Sequence, residues 1–149
     1  MANVEHAVDI EASPETVYQL SQDYSVRHSW DTFPEKIELL HGATVIAKGV
    51  RAFIVAKTGL RMEVEFIQVS PPTTAAIKMI KGPFFLKSFA GSWVFRLNGS
   101  GGTAAKFIYA IKSKWWALPW VTDYVASWYF SNAVKKRLNG LKAYCESLA

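Results

Sequence analysis

The sequence predicts an α+β protein: a curved seven-stranded antiparallel sheet wrapped around a long C-terminal helix, with two short helices between strands 1 and 2. Three observations carry this. Apolar and polar residues alternate with period two from Lys36 to Ser113, broken at intervals by turn residues, as in an antiparallel meander with one solvated face. Val134, Leu138, Leu141, Cys145 and Leu148 follow the three-and-four spacing of a helix that buries one stripe. Ahead of the meander, Ser13-Pro14 has the signature of a helix start. One domain over residues 1–149 is expected, because no linker, internal repeat or low-complexity tract divides the 149-residue chain.

Taken in order, Val4 to Ile10 forms the first strand, with Val4, His6, Val8 and Ile10 on one face. Ser13 caps a helix over 14–23, where a proline in the first turn loses no hydrogen bond, and Val17, Leu20 and Tyr24 face inward. A shorter helix is predicted over 25–30. Strands follow near 36–41, 49–57, 60–69, 74–81, 85–98 and 102–113, joined at His41-Gly42, Thr58-Gly59, Pro71-Pro72, Gly82-Pro83 and the glycine-rich turn after Asn98. One sheet face is apolar, as in Met62-Val64-Phe66 or Phe107-Tyr109-Ile111, and the other carries Arg61, Glu63, Glu65, Lys78, Arg96, Lys106 and Lys112. The final helix begins near Pro119 and runs to about Leu148, and its stripe is extended upstream through Trp120, Tyr124, Ser127 and Ser131.

The stretch KWWALPWVTDYVASWYF, 114–130, holds four of the six tryptophans. Trp115 to Phe130 is sixteen residues interrupted by Pro119 and Asp123, short of the about 20 apolar residues that a membrane-spanning helix requires. It is therefore expected to lie on the sheet. Trp115 and Trp116, flanked by Lys112 and Lys114, fit either transient contact with a membrane surface, gating of a cavity, or ordinary packing at a helix start. A single cysteine excludes an internal disulfide, and MANVEHAVDI lacks the pattern of a secretory signal, so a cytoplasmic location is expected. Seventeen Lys and Arg against twelve Asp and Glu favour anionic ligands or surfaces. No nucleic-acid partner is expected, because the aromatics are predicted to point inward and Lys135-Lys136-Arg137 to be solvated helix surface, with affinity for anionic lipid headgroups as the alternative for that cluster.

This order of elements is that of the helix-grip fold. AVDIEASPETVYQLSQDYSVRHSW resembles the opening of the START-like, polyketide cyclase/dehydrase and lipid transport (SRPBCC) superfamily, with Ser13, Pro14, Val17, Asp23 and Trp30 in the family's places. KGPFFLKSFAGSWVFRL is similar to that family's hairpin between the fifth and sixth strands. The resemblance implies a cavity between sheet and helix that binds or transports a small hydrophobic molecule, lipid-like or aromatic. Two alternatives are a polyketide cyclase/dehydrase-type enzyme using the same cavity and a protein-partner module with a vestigial pocket. Candidate ligand-binding residues are Phe66, Met79, Phe89, Trp93, Phe95, Phe107, Tyr109, Trp120, Asp123, Tyr124 and Ser127; the competing reading is that these bulky groups fill the gap themselves. Asp123 fits helix-dipole stabilisation as well as a cavity role, and Tyr109, Asp123 and Ser127 are the proton carriers that the enzyme alternative would use.

No catalytic residue is assigned. His28 and Asp31 have helical spacing but are expected on a surface helix, Cys145 falls on the core stripe, and three isolated histidines offer no ligand spacing. Neither a metal nor a cofactor is expected. The sequence does not indicate an oligomeric state.

Overall fold

Strand β1, Ala2–Ile10, finds its partner at the far end of the chain: it runs antiparallel to β7, Thr103–Ser113, with Val4 opposite Tyr109 and Ile10 opposite Thr103. This pairing is seen in a computed structural model that describes residues 2–31, 33–114, 116 and 118–148, with the side chains of Ala2, Glu35, Pro119, Thr122 and Asp123 outside the description. Helix α1, Pro14–Gln22, starts as expected, the Ser13 hydroxyl accepting from the Thr16 amide at 3.3 Å. Only a single 3-10 turn, Arg27–Ser29, occupies the place of the second short helix; Asp23 accepts from Ser25 and stops the chain from extending α1.

The meander comprises β2 Pro34–Leu39, β3 Arg51–Ala56, β4 Arg61–Ser70, β5 Thr74–Lys81 and β6 Leu86–Leu97, followed by β7. These form one seven-stranded sheet in the order β1-β7-β6-β5-β4-β3-β2. Register shifts between Phe66 and Gln68 and between Leu86 and Ser88 mark irregularities at which the sheet can curve. Its apolar face carries Val64, Phe66, Phe95, Ala105, Phe107, Tyr109 and Ile111, all buried.

Helix α2, Pro119–Ser147, lies across this face. It packs mainly on β1 and β7. Its buried stripe is Ala126, Phe130, Val134, Leu138, Leu141 and Cys145. The upstream stripe expected through Trp120, Tyr124 and Ser127 is one position out of phase. Phe130 and Ala126, each one position before the expected Ser131 and Ser127, are the residues that face the core instead. Trp120 and Tyr124 are consequently about three-quarters exposed. Gly140 lets α2 meet the backbone of the 3-10 turn: a Cβ there would collide with the Trp30 carbonyl oxygen.

Candidate functional site

Between the concave sheet, the 3-10 turn and the middle of α2 is a cavity of about 50 Å³. Phe66, Phe89, Trp93, Phe107 and Tyr109 supply its wall from the sheet, Phe130 and Arg137 from α2, and Tyr24 and Arg27 from the segment after α1. The rings touch one another: centroids are 4.3 Å apart for Trp93 and Phe107, 4.6 Å for Phe107 and Tyr109, 4.8 Å for Phe89 and Tyr109, and 4.9 Å for Tyr109 and Phe130. Gly91 on β6 makes room for the Tyr109 ring, since a Cβ there would lie 3.0 Å from its Cε1. Phe33, Ile37, Ile54, Leu60 and Ile77 are half-buried and form the part of the lining nearest solvent. Next to them, the Tyr129 and Thr58 hydroxyls are 2.7 Å apart, tying α2 to the turn between β3 and β4.

The cavity's polar end is built from three buried charges. Arg27 Nε donates to Asp31 Oδ2 at 2.9 Å and its Nη1 to the Ser21 carbonyl at 3.0 Å. Arg137 reaches the same carboxylate from α2, with Nε 3.1 Å from Oδ1 and Nη2 2.9 Å from Oδ2, and its Nη1 donates to the Tyr109 hydroxyl. Its guanidinium also lies over the Phe107, Phe33 and Trp93 rings at 5.0, 5.2 and 5.3 Å. Burial alone would raise the Asp31 carboxyl, but Arg137 and Arg27 outweigh it and hold the group down to about 2. Burial likewise opposes the charge of Arg137, and Asp31 overcomes it, so the guanidinium titrates above its ordinary range. For Tyr109 burial dominates and pushes the phenol up, which keeps it protonated. A guanidinium only donates, so the Tyr109 oxygen accepts from Arg137 and its own proton is left to donate.

Of the predicted site residues, Phe66, Phe89, Trp93, Phe107 and Tyr109 come together around this cavity. Phe95 is fully buried behind them, against Tyr18 and Trp93. Met79 is half-buried on β5 beyond the lining, beside Gly82. Trp120 and Tyr124 are on the outer surface, and Ser127 is half-buried in a surface groove with His6 and Ser131, whose Nε2 and Oγ are 2.7 Å apart. The cavity thus does not sit beneath Trp120 and Tyr124, because the phase of α2 turns Ala126 and Phe130 inward. The Asp123 side chain and Trp115 lie outside the described residues.

The charge cluster is what sequence reasoning missed. Arg137 was expected on the solvated surface with Lys135 and Lys136, and Asp31 on a surface helix with His28; Arg137 and Asp31 are buried instead. A signal was there: Arg137 is three residues after Val134 and four before Leu141, a position on the buried stripe itself. Cys145 packs in the core, with burial pushing its thiol up to about 11, which removes it as a nucleophile at neutral pH.

A seven-stranded sheet gripping a long C-terminal helix, with a cavity between them, defines a START-like helix-grip protein. The chain belongs to the polyketide cyclase/dehydrase and lipid transport family, whose model matches residues 1–146. Solved structures share the fold at low sequence identity. A protein from Thermus thermophilus has a TM-score of 0.80 at 19% identity, over 99% of each chain. The protein XoxI from Bacillus cereus has a TM-score of 0.79 at 15% identity, over 99% of this chain and 98% of that one. A START superfamily protein from Mycobacterium smegmatis has 0.78 at 12% identity, over 100% of both. No curated protein matches the chain.

Proposed function

We propose that the protein holds a small hydrophobic molecule between the sheet and α2, and that this guest presents an acidic or carbonyl oxygen to Tyr109 and Arg137. The observation that carries the reading is an aromatic cavity whose one polar end is positively charged. Arg27 and Arg137 share a single carboxylate, Asp31, so the described buried cluster has one positive charge in excess. A buried charge lacking a counter-ion is costly, and a guest carboxylate or enolate would supply one. The Tyr109 proton adds a neutral donor beside it.

Size constrains how a guest is held. A water occupies at least about 10–15 Å³ on the same measure, so about 50 Å³ accepts only a few heavy atoms. A lipid-sized guest must displace Phe130 or the half-buried rim at Phe33, Ile37 and Ile54, and separate Tyr129 from Thr58. Each CH₂ then buried contributes about 0.8 kcal/mol toward that displacement.

Calorimetric titration and native mass spectrometry with a medium-chain fatty acid and its methyl ester test the reading. The acid should bind about tenfold more tightly than the ester, and Tyr109→Phe should weaken it severalfold, the usual consequence of losing one hydrogen bond. Absence of binding by both probes, or equal affinity for acid and ester, would overturn it.

The enzyme reading has one observation of its own. A phenol kept protonated by burial and oriented by a guanidinium is a hydrogen-bond donor suited to a ketone oxygen, as a cyclase or dehydratase step requires. A β-keto thioester that turns over with the parent and not with Tyr109→Phe would select this reading over simple carriage.

A further inference from the structure

Helix α2 is apolar on two opposite faces over its first three turns. Ala126 and Phe130 point into the core, while Trp120, Tyr124 and Trp128, spaced by four, point outward together with Val121 and Val125. Trp120 is 76% and Trp128 67% exposed. A surface helix ordinarily shows charged or polar residues on its outer side, and α2 does so from residue 132 onward, where the same outward face becomes Asn132, Lys135, Lys136 and Asn139. The apolar surface extends past the helix start, since exposed Phe84 stacks on Trp116 with centroids 5.9 Å apart and planes 9° from parallel. No helix among the described residues is long and apolar enough to cross a membrane.

We infer that this face is a docking surface for an anionic phospholipid bilayer, into whose interface Trp120, Tyr124 and Trp128 insert side-on. Two features select that occupant. Tryptophan and tyrosine are the side chains that settle at the headgroup boundary, having an apolar ring and a polar edge. Cations bracket the patch: Lys114, whose Nζ lies 5.9 Å from the Trp116 ring centre, at one end, and exposed Lys135 and Lys136 at the other, with Asp123 the one carboxylate in the sequence between Lys114 and Lys136. Glu5, in the groove beside Tyr124 and Trp128, is ion-paired with Lys106 at 3.2 Å, so the lysines at the two ends are attracted to a negative leaflet, whereas a second copy docked through the same patch would set lysines against lysines. The contact does not depend on what the cavity holds.

Sedimentation of the full chain with vesicles tests this. Vesicles of phosphatidylcholine mixed with phosphatidylglycerol should carry the protein down, and vesicles of phosphatidylcholine alone should carry much less; added salt should release part of the bound fraction. The double variant Trp120→Ser/Trp128→Ser should lose at least about tenfold in partitioning, and Lys135→Glu/Lys136→Glu should abolish the preference for the anionic vesicles. Because all four positions are exposed, both variants should keep the parent's thermal midpoint, which separates loss of docking from loss of folding. Failure to sediment with anionic vesicles, or undiminished sedimentation of the tryptophan variant, overturns the inference. Self-association of the parent that the tryptophan variant abolishes, without vesicle binding, would also overturn it and assign the patch to an interface between copies.

Discussion

Arg137 enters the interior at a position where the helix pattern calls for an aliphatic side chain, and it is retained there by the groups around it. Asp31 receives two of its nitrogens, Tyr109 a third, and three aromatic rings cover the guanidinium. The carboxylate is the component whose loss is worst tolerated, since Asp31→Asn leaves two buried guanidiniums without a counter-charge. Urea unfolding should show Asp31→Asn destabilised by about 3–5 kcal/mol, the cost typical of breaking a buried ion pair from one side. Asp31 could not be recognised from its neighbours in the chain, and Arg137 only from its place on the α2 stripe. Lys135 and Lys136 make Arg137 look like one more solvated cation, and Asp31 looks like part of a turn. Only the packing of α2 on the segment of the 3-10 turn brings these residues, 106 positions apart, to within hydrogen-bond distance.

At the level of elements, α2 is held in register by an absence of side chain. Intrinsic helix propensity would favour Gly140→Ala by about 1 kcal/mol. The added methyl would strike the Trp30 carbonyl oxygen, a backbone atom with little freedom to retreat, so the substitution should instead destabilise by about 1–3 kcal/mol in denaturant titration. A gain in stability would mean that α2 stands farther from the 3-10 turn than described. The strands were the most legible elements. Period-two alternation and the Thr58-Gly59, Pro71-Pro72 and Gly82-Pro83 breaks located β3 to β6 to within two or three residues, because one face of an antiparallel sheet must be buried. The first half of α2 was less legible for a physical reason: Trp120, Tyr124 and Trp128 are apolar yet face outward, so hydrophobicity alone cannot tell which of two greasy sides meets the core.

Over the whole molecule, β1 pairing with β7 joins the chain's first element to its last strand, and α2 then lies over both. Linkage makes this assembly acid-sensitive at a defined place. Asp31 has an ordinary value of 3.8 and is held at about 2 in the folded protein, so its stabilisation is complete above 3.8 and is lost as pH falls from 3.8 toward 2. The loss amounts to on the order of 2 kcal/mol, and Glu146, lowered by its hydrogen bonds from Lys142 and the Glu11 amide, acts in the same direction. Denaturant midpoints measured across that interval should fall more steeply for the parent than for Asp31→Asn; equal slopes would remove Asp31 from the acid transition. The fold was legible in full outline because caps, turns and alternation are local. The cavity's position was not, since it depends on the rotational phase of one helix. The described indoles fall into two optical populations: Trp30 and Trp93 are buried with ring centres 5.8 Å apart, and Trp116, Trp120 and Trp128 are exposed to solvent. Acrylamide should therefore extinguish the red-edge emission first and leave a blue-shifted remainder, giving separate fluorescent readouts of events between sheet and helix and on the outer skin.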